Sequence, residues 1–467
     1  MPLQPRRGQP NRMANVWTAR IIPVFLLGIV AYSSWVLTAL VCTGYLLRPG
    51  HRRYGPAIAI LVIFYLLLLM VLVTYARLIT TVITKPGVVP RGPQYYVEKE
   101  RKARRARSSL EKDGWDAGSA EGSGNRPKSR REGEASSQDF WHRDVFVCQY
   151  DGRPPFCSQC YNYKPTRSHH CSELGRCVLK MDHFCPWIGG VVSETSFKFF
   201  ILFTFWTNLL TLHVLVVMAY FFAQRRRREA GFVVDVHWIL VLAFAALFFL
   251  FSGGMCISSL QFAFLNTTTI ENLSRRSHVW YLAVYVPESA VQRYHASGRS
   301  DLRLIAYPRP PAEQLQVLQQ SNNGTSMGGA MSGGGPEELP GRGLPTPIPP
   351  GQTAANAHAP PNPKRPIQMP HQPPPPPLTR SFAILETKPG ANPFDIGYWN
   401  NFKEVMGYTV LDWVLPLRPS PCANHDDPSC MYQTGRVVDQ LKREAGIFSS
   451  NTDNEGGGEW WNDKLYA

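Results

Sequence analysis

Cysteine is too sparse here for a disulfide-built protein: ten residues in 467, five of them gathered between Cys157 and Cys185. Secreted disulfide scaffolds distribute cysteines through a short chain, so that class is set aside. The ligand-like spacing of this cluster favours a reducing, cytosol-facing site. Acidic residues are also in short supply, 34 against 49 lysines and arginines, for a formal charge of +15. The basic residues crowd beside apolar stretches, which suits anionic headgroups and phosphate-bearing ligands and leaves no role for nucleic acid. Charge is almost missing from four long apolar runs, and no internal repeat relates them, which speaks against a transporter.

The four runs cover 21–47, 54–76, 197–223 and 238–265. Each exceeds the roughly 20 residues that a bilayer core requires. The first is too long for a signal-peptide core, and the second follows it closely. They predict an all-α polytopic membrane protein with both termini and the 77–196 stretch on one side. Arg48, Arg52, Arg53 and Arg225 to Arg228 then fall in the short loops of the other side, against the positive-inside tendency. Reduced thiols nevertheless assign the 77–196 side to the cytosol. The organelle is left open between endomembranes and the plasma membrane. His213, in the third run, reads as a packed or water-facing residue.

Between and beyond the spans the composition changes. Residues 1–20 form a basic cytosolic N-terminus, and 98–140 is charged and rich in Arg, Gly, Ser and Glu, which predicts a disordered insert. A cysteine-rich domain is expected over 150–200 and a mixed, partly ordered juxtamembrane segment over 266–308. The stretch 309–380 is rich in Pro, Gly and Gln, with five consecutive prolines at 373–377, and reads as a linker or a polyproline ligand for adaptor domains. Order is expected again over 381–415, with an irregular soluble tail over 416–467.

Cys157-x2-Cys160, His170 and Cys177 supply three sulfurs and one imidazole, a closed tetrahedral set for Zn²⁺. Cys185 is different. It follows His183 by two residues and Asp182 by three, just before Pro186-Trp187 and the third span. A thiolate is a good nucleophile, an imidazole can take its proton, and a carboxylate can fix the imidazole tautomer. On spacing alone, a fifth metal-site cysteine is an equal reading.

The stretch resembles the cysteine-rich domain of the DHHC protein S-acyltransferases, or palmitoyltransferases. The residues that carry the likeness are Cys157-x2-Cys160, Lys164-Pro165-x-Arg167-x2-His170-Cys171, Cys177-Val178, Met181-Asp182-His183-x-Cys185-Pro186-Trp187 and Lys198-Phe199-Phe200. Thr268-Thr269-Ile270-Glu271 looks like the family's TTxE motif. Asn392-Pro393-Phe394-Asp395, with Gly397 and Asn401, looks like its C-terminal motif, and Lys85-Pro86-Gly87 looks like its DPG turn with Lys for Asp. Phe184 stands where the family usually has the second His of the signature, as in a fungal subgroup with an aromatic residue there. By this analogy Cys157, Cys160, His170 and Cys177 hold one zinc. Cys171, Leu174, Phe184 and Val191 take the ligand places of a second. Three of those four are apolar, so a hydrophobic cluster replacing the second ion is expected, with one zinc per chain.

The resemblance implies palmitoyl-CoA as donor, Cys185 as the S-acylated nucleophile, His183 as base and Asp182 as its orienting partner, supported by Thr268 or Thr269. Membrane-associated proteins with free cysteines are the implied acceptors. Lys164 and Arg167 are candidate contacts for CoA phosphates, and Trp187 for the acyl chain near the mouth of a cavity among the helices. Burying about sixteen carbons there, at ~0.8 kcal/mol per methylene, contributes on the order of 10 kcal/mol. The competing class is a catalytically inactive zinc-containing membrane scaffold. A RING-type ligase lacks its second ligand quartet here.

Overall fold

The protein is described from a computed structural model over residues 12–49, 53–112, 137–228, 233, 235–298, 300–308 and 379–447. The chain divides into two units, Met1–Ile305 with Arg380–Ala467, and Ala306–Thr379. Nearly all of the second unit, including the proline-rich stretch, lies outside the described residues, as do 113–136 of the expected insert.

Four helices are long and apolar enough to cross a membrane. The first, α1 (Arg12–Trp35), continues as a wider π-helical stretch, Val36–Leu46, in which Leu47 N bonds back to Cys42 O. The second, α2, runs over Tyr54–Thr84 and overshoots the expected end at 76. Nothing in 77–84 breaks a helix. Pro86 restricts the residue before it, and Gly87 takes the left-handed φ of +68° that turns the chain. The short charged helix α3 (Pro93–Lys112) occupies the start of the insert expected to be disordered. Its Glu, Lys and Arg are good helix formers, and Glu98 pairs with Arg101 one turn on.

Seven strands follow. These are β1 (Val145–Cys148), β2 (Phe156–Cys157), β3 (Asn162–Tyr163), β4 (His169–Cys171), β5 (Arg176–Val178), β6 (His183–Cys185) and β7 (Gly190–Val192). The last two spans are α4 (Phe197–Arg228) and α5 (Val236–Leu265). At about 1.5 Å per residue, α4 is about 48 Å long, well beyond a ~30 Å hydrocarbon core. Its first turn packs on the soluble lobe, where Phe197, Phe199 and Phe200 are buried with Phe402, Val405 and Met406. The outer faces of α2 and α5 leave Leu66, Leu69, Leu247 and Leu250 uncovered, as lipid-facing helices do.

Beyond the spans the soluble lobe contains α6 (Thr269–Leu273), β8 (Tyr281–Val286), α7 (Glu288–Ala296), β9 (Arg303–Tyr307), β10 (Arg380–Glu386), α8 (Tyr398–Met406), α9 (Val410–Val414) and α10 (Arg436–Glu444). The membrane part is all-helical as expected. The lobe adds a four-stranded sheet in the order β1-β8-β10-β9. The expected irregular tail after 416 is instead ordered through 447. Val438 on α10 is fully buried against the face formed by Val145, Val284 and Ala383.

Candidate active site

The cysteine-rich region consists of three small hairpins. The first pairs Cys157 with Asn162, and the second pairs His170 directly with Cys177. Directly opposed residues on neighbouring strands hold their Cβ atoms about 5 Å apart, so one hairpin brings two ligands to one point. The Cys157 to Cys160 turn adds the other two. Donor atoms of Cys157, Cys160, His170 and Cys177 all lie within 4.8 Å of one another. The three sulfurs stand 3.5, 3.4 and 3.8 Å from His170 Nδ1. A tetrahedral zinc with Zn–S of about 2.3 Å and Zn–N of about 2.0 Å would separate S and N by about 3.5 Å. The set therefore fits a structural zinc, which would pin the first two hairpins together. His169, the residue before the ligand His170, is half-buried, and burial lowers its proton affinity.

The four places of the second ion come together without a ligand set. Cys171 and Val191 are buried with Val178 and Met181, and Leu174, Phe184, Val88 and Ile270 pack on them. Phe184 and Val191 are direct cross-strand partners in the β6–β7 hairpin. Burial pushes the Cys171 thiol up to about 11, so it stays protonated. Its S–H points to Glu173 Oε2 at 3.2 Å.

Side chains alternate along a strand, so His183 and Cys185 on β6 share the face opposite Phe184. Asp182 Oδ2 lies 2.6 Å from His183 Nδ1. That leaves Nε2 on the other edge of the ring, buried and without a hydrogen bond among the described residues. Burial works to lower the proton affinity of His183, but Asp182 and the neighbouring Cys185 sulfur outweigh it and raise the imidazole to about 9. Cys185 is buried against Leu78, Val82 and Ile188, and its cross-strand partner is Gly190. A Cβ at Gly190 would fall 2.2 Å from Val82 Cγ1, so only glycine lets α2 close on this hairpin.

Asp182 is held from behind. Thr269 donates its backbone N–H to Oδ1 at 2.7 Å and its hydroxyl to Oδ2 at 2.8 Å. Thr268 acts one step further back. It caps α6, its hydroxyl accepting from Glu271 N while Glu271 Oε2 accepts from Thr268 N. The 268–271 stretch is thus a capping box whose second residue grips Asp182.

Arg167 requires a correction. Its side chain is fully buried, and the guanidinium clasps Glu271 at 2.8 and 2.6 Å and Asn266 at 2.9 Å twice, beneath the Phe394 ring. A side chain so enclosed and so fully hydrogen-bonded does not reach a CoA phosphate. Lys164 stays half-buried at the surface. Trp187 packs against Phe251 with the two rings tilted by 43°, and its carbonyl accepts from the Tyr75 hydroxyl. His213 Nε2 faces the Ile60 carbonyl at 3.3 Å, a packed residue.

Sequence reasoning named Asn392 and Asn401 only as a motif, without a role, and missed Glu194, His425 and Tyr432; together these residues lock the lobe. The last carbonyls of a helix have no partner within the helix. At the end of α5, Phe264 O accepts from Asn401, while Leu265 O and Asn266 O accept from Asn392. The C-terminal motif is a cap for the fourth span. Farther on, Glu194 accepts from His425 Nε2 at 2.9 Å and from the Tyr432 hydroxyl. A buried acid between β7 and α4 was the available signal, but its partners lie over 200 residues away.

A cavity of about 190 Å³ opens among the four spans. Cys185, Trp187 and Phe200 line it at one end, and Val30, Val214 and Val241 lie farther along it. Its wall is almost wholly apolar.

A family model described as DHHC palmitoyltransferase matches residues 151–276. The chain is 38% identical over 476 residues to palmitoyltransferase pfa5 of Aspergillus fumigatus, covering 96% of this chain and 94% of that one. It is 38% identical to palmitoyltransferase pfa5 of Emericella nidulans, over 95% and 89% of the two chains. A probable protein S-acyltransferase 14 of Arabidopsis thaliana is 33% identical over 264 residues, 55% of this chain and 74% of that one. Nothing in these matches or in the described site favours an inactive scaffold, and the chain belongs to the DHHC palmitoyltransferase family of protein S-acyltransferases.

Proposed function

We propose that Cys185 carries the acyl group between a long-chain acyl-CoA and a cysteine of a membrane-associated acceptor protein. His183 takes the Cys185 proton at Nε2, and the thiolate attacks the thioester carbonyl of the donor. The tetrahedral intermediate collapses with cleavage of the carbonyl–sulfur bond to CoA, whose thiolate recovers the proton from His183. One thioester is exchanged for another. In the second half-reaction the acceptor thiol gives its proton to His183 and attacks, and Cys185 leaves as thiolate.

The observation that carries this reading is the apolar cavity with Cys185 in its wall beside a carboxylate-backed imidazole. Phe200 and Val214 line it fourteen residues apart on α4, about 21 Å at 1.5 Å per residue. An extended chain of sixteen carbons spans about 19 Å, taking about 1.25 Å per carbon from C–C bonds of about 1.5 Å. The lining supports a donor of about that length. Lys164 is the basic side chain left for the CoA phosphates. Zinc at Cys157, Cys160, His170 and Cys177 supplies architecture and no chemistry. All ten cysteines are free of disulfides, which supports a reducing, cytosolic placement of the lobe. The prolines at 373–377 suit adaptor domains that read polyproline helices.

The test is incubation of the purified protein with labelled palmitoyl-CoA. A hydroxylamine-sensitive adduct should map to Cys185, vanish in Cys185→Ser, and form about 10²–10⁴ times more slowly in His183→Ala. Transfer that persists without the Cys185 sulfur refutes the reading.

A further inference from the structure

The chain that follows the cap of the fourth span wears its apolar residues on the outside. Val410, Leu411 and Leu417 are 65, 64 and 64% exposed, and Val414, Tyr398 and Trp399 are exposed as well. Spacings of three and four residues put Val410, Leu411 and Val414 on one face of α9. The exposed Trp399 ring packs edge-on against Trp413 of the same helix, 5.3 Å between centroids.

The charged residues of this stretch are turned the other way. Asp412 is buried 3.7 Å from the buried Lys198 ammonium of α4, and its carboxylate accepts from the Thr409 hydroxyl in the capping box that starts α9. Glu404 is buried and accepts from the Tyr408 hydroxyl at 2.9 Å. Lys403, the remaining charge between Tyr398 and Leu417, lies half-buried over the Trp399 ring. Acids inside and aliphatic side chains outside reverse what water selects. A contiguous patch of that kind marks a protein partner or a membrane.

The depth of α9 decides between the two. Trp206 on α4 donates its Nε1–H to Val414 O at 3.1 Å, which ties the end of α9 to the third span. A bilayer core takes about 20 helical residues, and that count, taken back from Arg225–Arg228 at the far end of α4, reaches Phe205 and Trp206. Trp206 then lies at the edge of the hydrocarbon, the depth where tryptophan gathers. Phe205 beside it is exposed too, so the apolar face of α9 continues the lipid-facing side of the bundle.

We propose that the outer face of α9, with Tyr398 and Trp399, is a membrane-surface contact, embedded in the headgroup–acyl boundary of the leaflet beneath the soluble lobe. Its inner side shares one packed cluster with the nucleophile: Phe402, Val405 and Met406 are buried together with Cys185, and Trp413 packs on them. The embedded face therefore sets how high Cys185 stands above the lipid. The contact is independent of the chemistry assigned to Cys185.

The experiment places the photo-reactive residue benzoylphenylalanine at position 411, and separately at 410, of the full-length protein in nanodiscs of phosphatidylcholine and phosphatidylserine. After irradiation, lipid adducts are counted by mass spectrometry. The same residue in place of Leu250, exposed on α5, gives the lipid reference, and in place of Gln292, exposed on α7, the aqueous one. Adduct yields at 410 and 411 should approach the first and exceed the second several-fold. Zinc content and melting temperature show which variants fold, and either position suffices. Yields no higher than at 292 overturn the proposal, and so does a cross-link from 410 or 411 to a second copy of the chain.

Discussion

Replacing Arg167 by Met separates a buried structural ion pair from a ligand contact. The guanidinium donates four hydrogen bonds, two to the Glu271 carboxylate at 2.8 and 2.6 Å and two to Asn266 at 2.9 Å. Methionine keeps much of the apolar stem but leaves Glu271 buried, with Thr268 N as its remaining donor among the described residues. Breaking a buried pair by removing one partner costs about 3–5 kcal/mol, because the survivor keeps its desolvation penalty. For a soluble lobe of this size that lowers the apparent melting temperature on the order of 10 °C. Adding Glu271→Gln to the same variant removes the stranded charge while keeping an acceptor for the α6 cap. The double variant should therefore recover more than half of the loss. The assay is thermal unfolding in detergent, followed by KM for palmitoyl-CoA on the folded fraction. An unchanged melting temperature with a raised KM would refute the burial argument and return Arg167 to the donor surface.

Two further outcomes follow from the site. His183 is raised from its ordinary 6.5 to about 9, so the Asp182 pair contributes stability that is fully present below pH 6.5 and is lost as pH rises through about 9. The melting gap between wild type and Asp182→Asn should therefore close across that window, from about 3 kcal/mol at most; a gap constant with pH would count against the pairing. Metal analysis of the purified protein should give one zinc per chain, with Cys160→Ser losing it and Phe184→Ala keeping it while costing roughly 2 kcal/mol of packing. Two ions per chain would show that the cluster around Phe184 does not stand in for a metal.

The legible parts were those set by near neighbours. Four long apolar runs, carrying Lys198 as their one charge, announced four spans, and Cys157-x2-Cys160 announced a metal knuckle. The ends of the spans were less legible, because a reading that stops a membrane run at its first charge also stops the helix. Arg77 does not end α2; it lies over the Phe199 ring at 5.1 Å and the helix continues to Thr84. Arg167 was misplaced for a related reason. A basic residue between Thr166 and Ser168 looks like surface until Glu271, 104 positions later, closes on it. The tail after 416 looked irregular because its order depends on Glu194, 231 positions before His425. Such pairs leave no periodicity to read.

An apolar cluster standing in for a metal site has to be nearly complete. A zinc ligand left alone in an apolar pocket is a buried polar group without a partner, at a cost of about 1–3 kcal/mol. Phe184 and Val191 oppose each other across one hairpin, so an imidazole at 184 would have faced a valine and not a metal. Cys171 is compatible with such a cluster: a neutral thiol behaves as a small apolar group, and Cys171, pushed up to about 11, is neutral. None of this reaches the chemistry, because the strand places Phe184 on one face and His183 with Cys185 on the other. Asp182 is gripped by Thr269 from α6, not by the zinc ligand set or by the apolar cluster. The hairpin needs rigidity from the face behind it, and tightly packed carbon supplies that as well as a metal ion would.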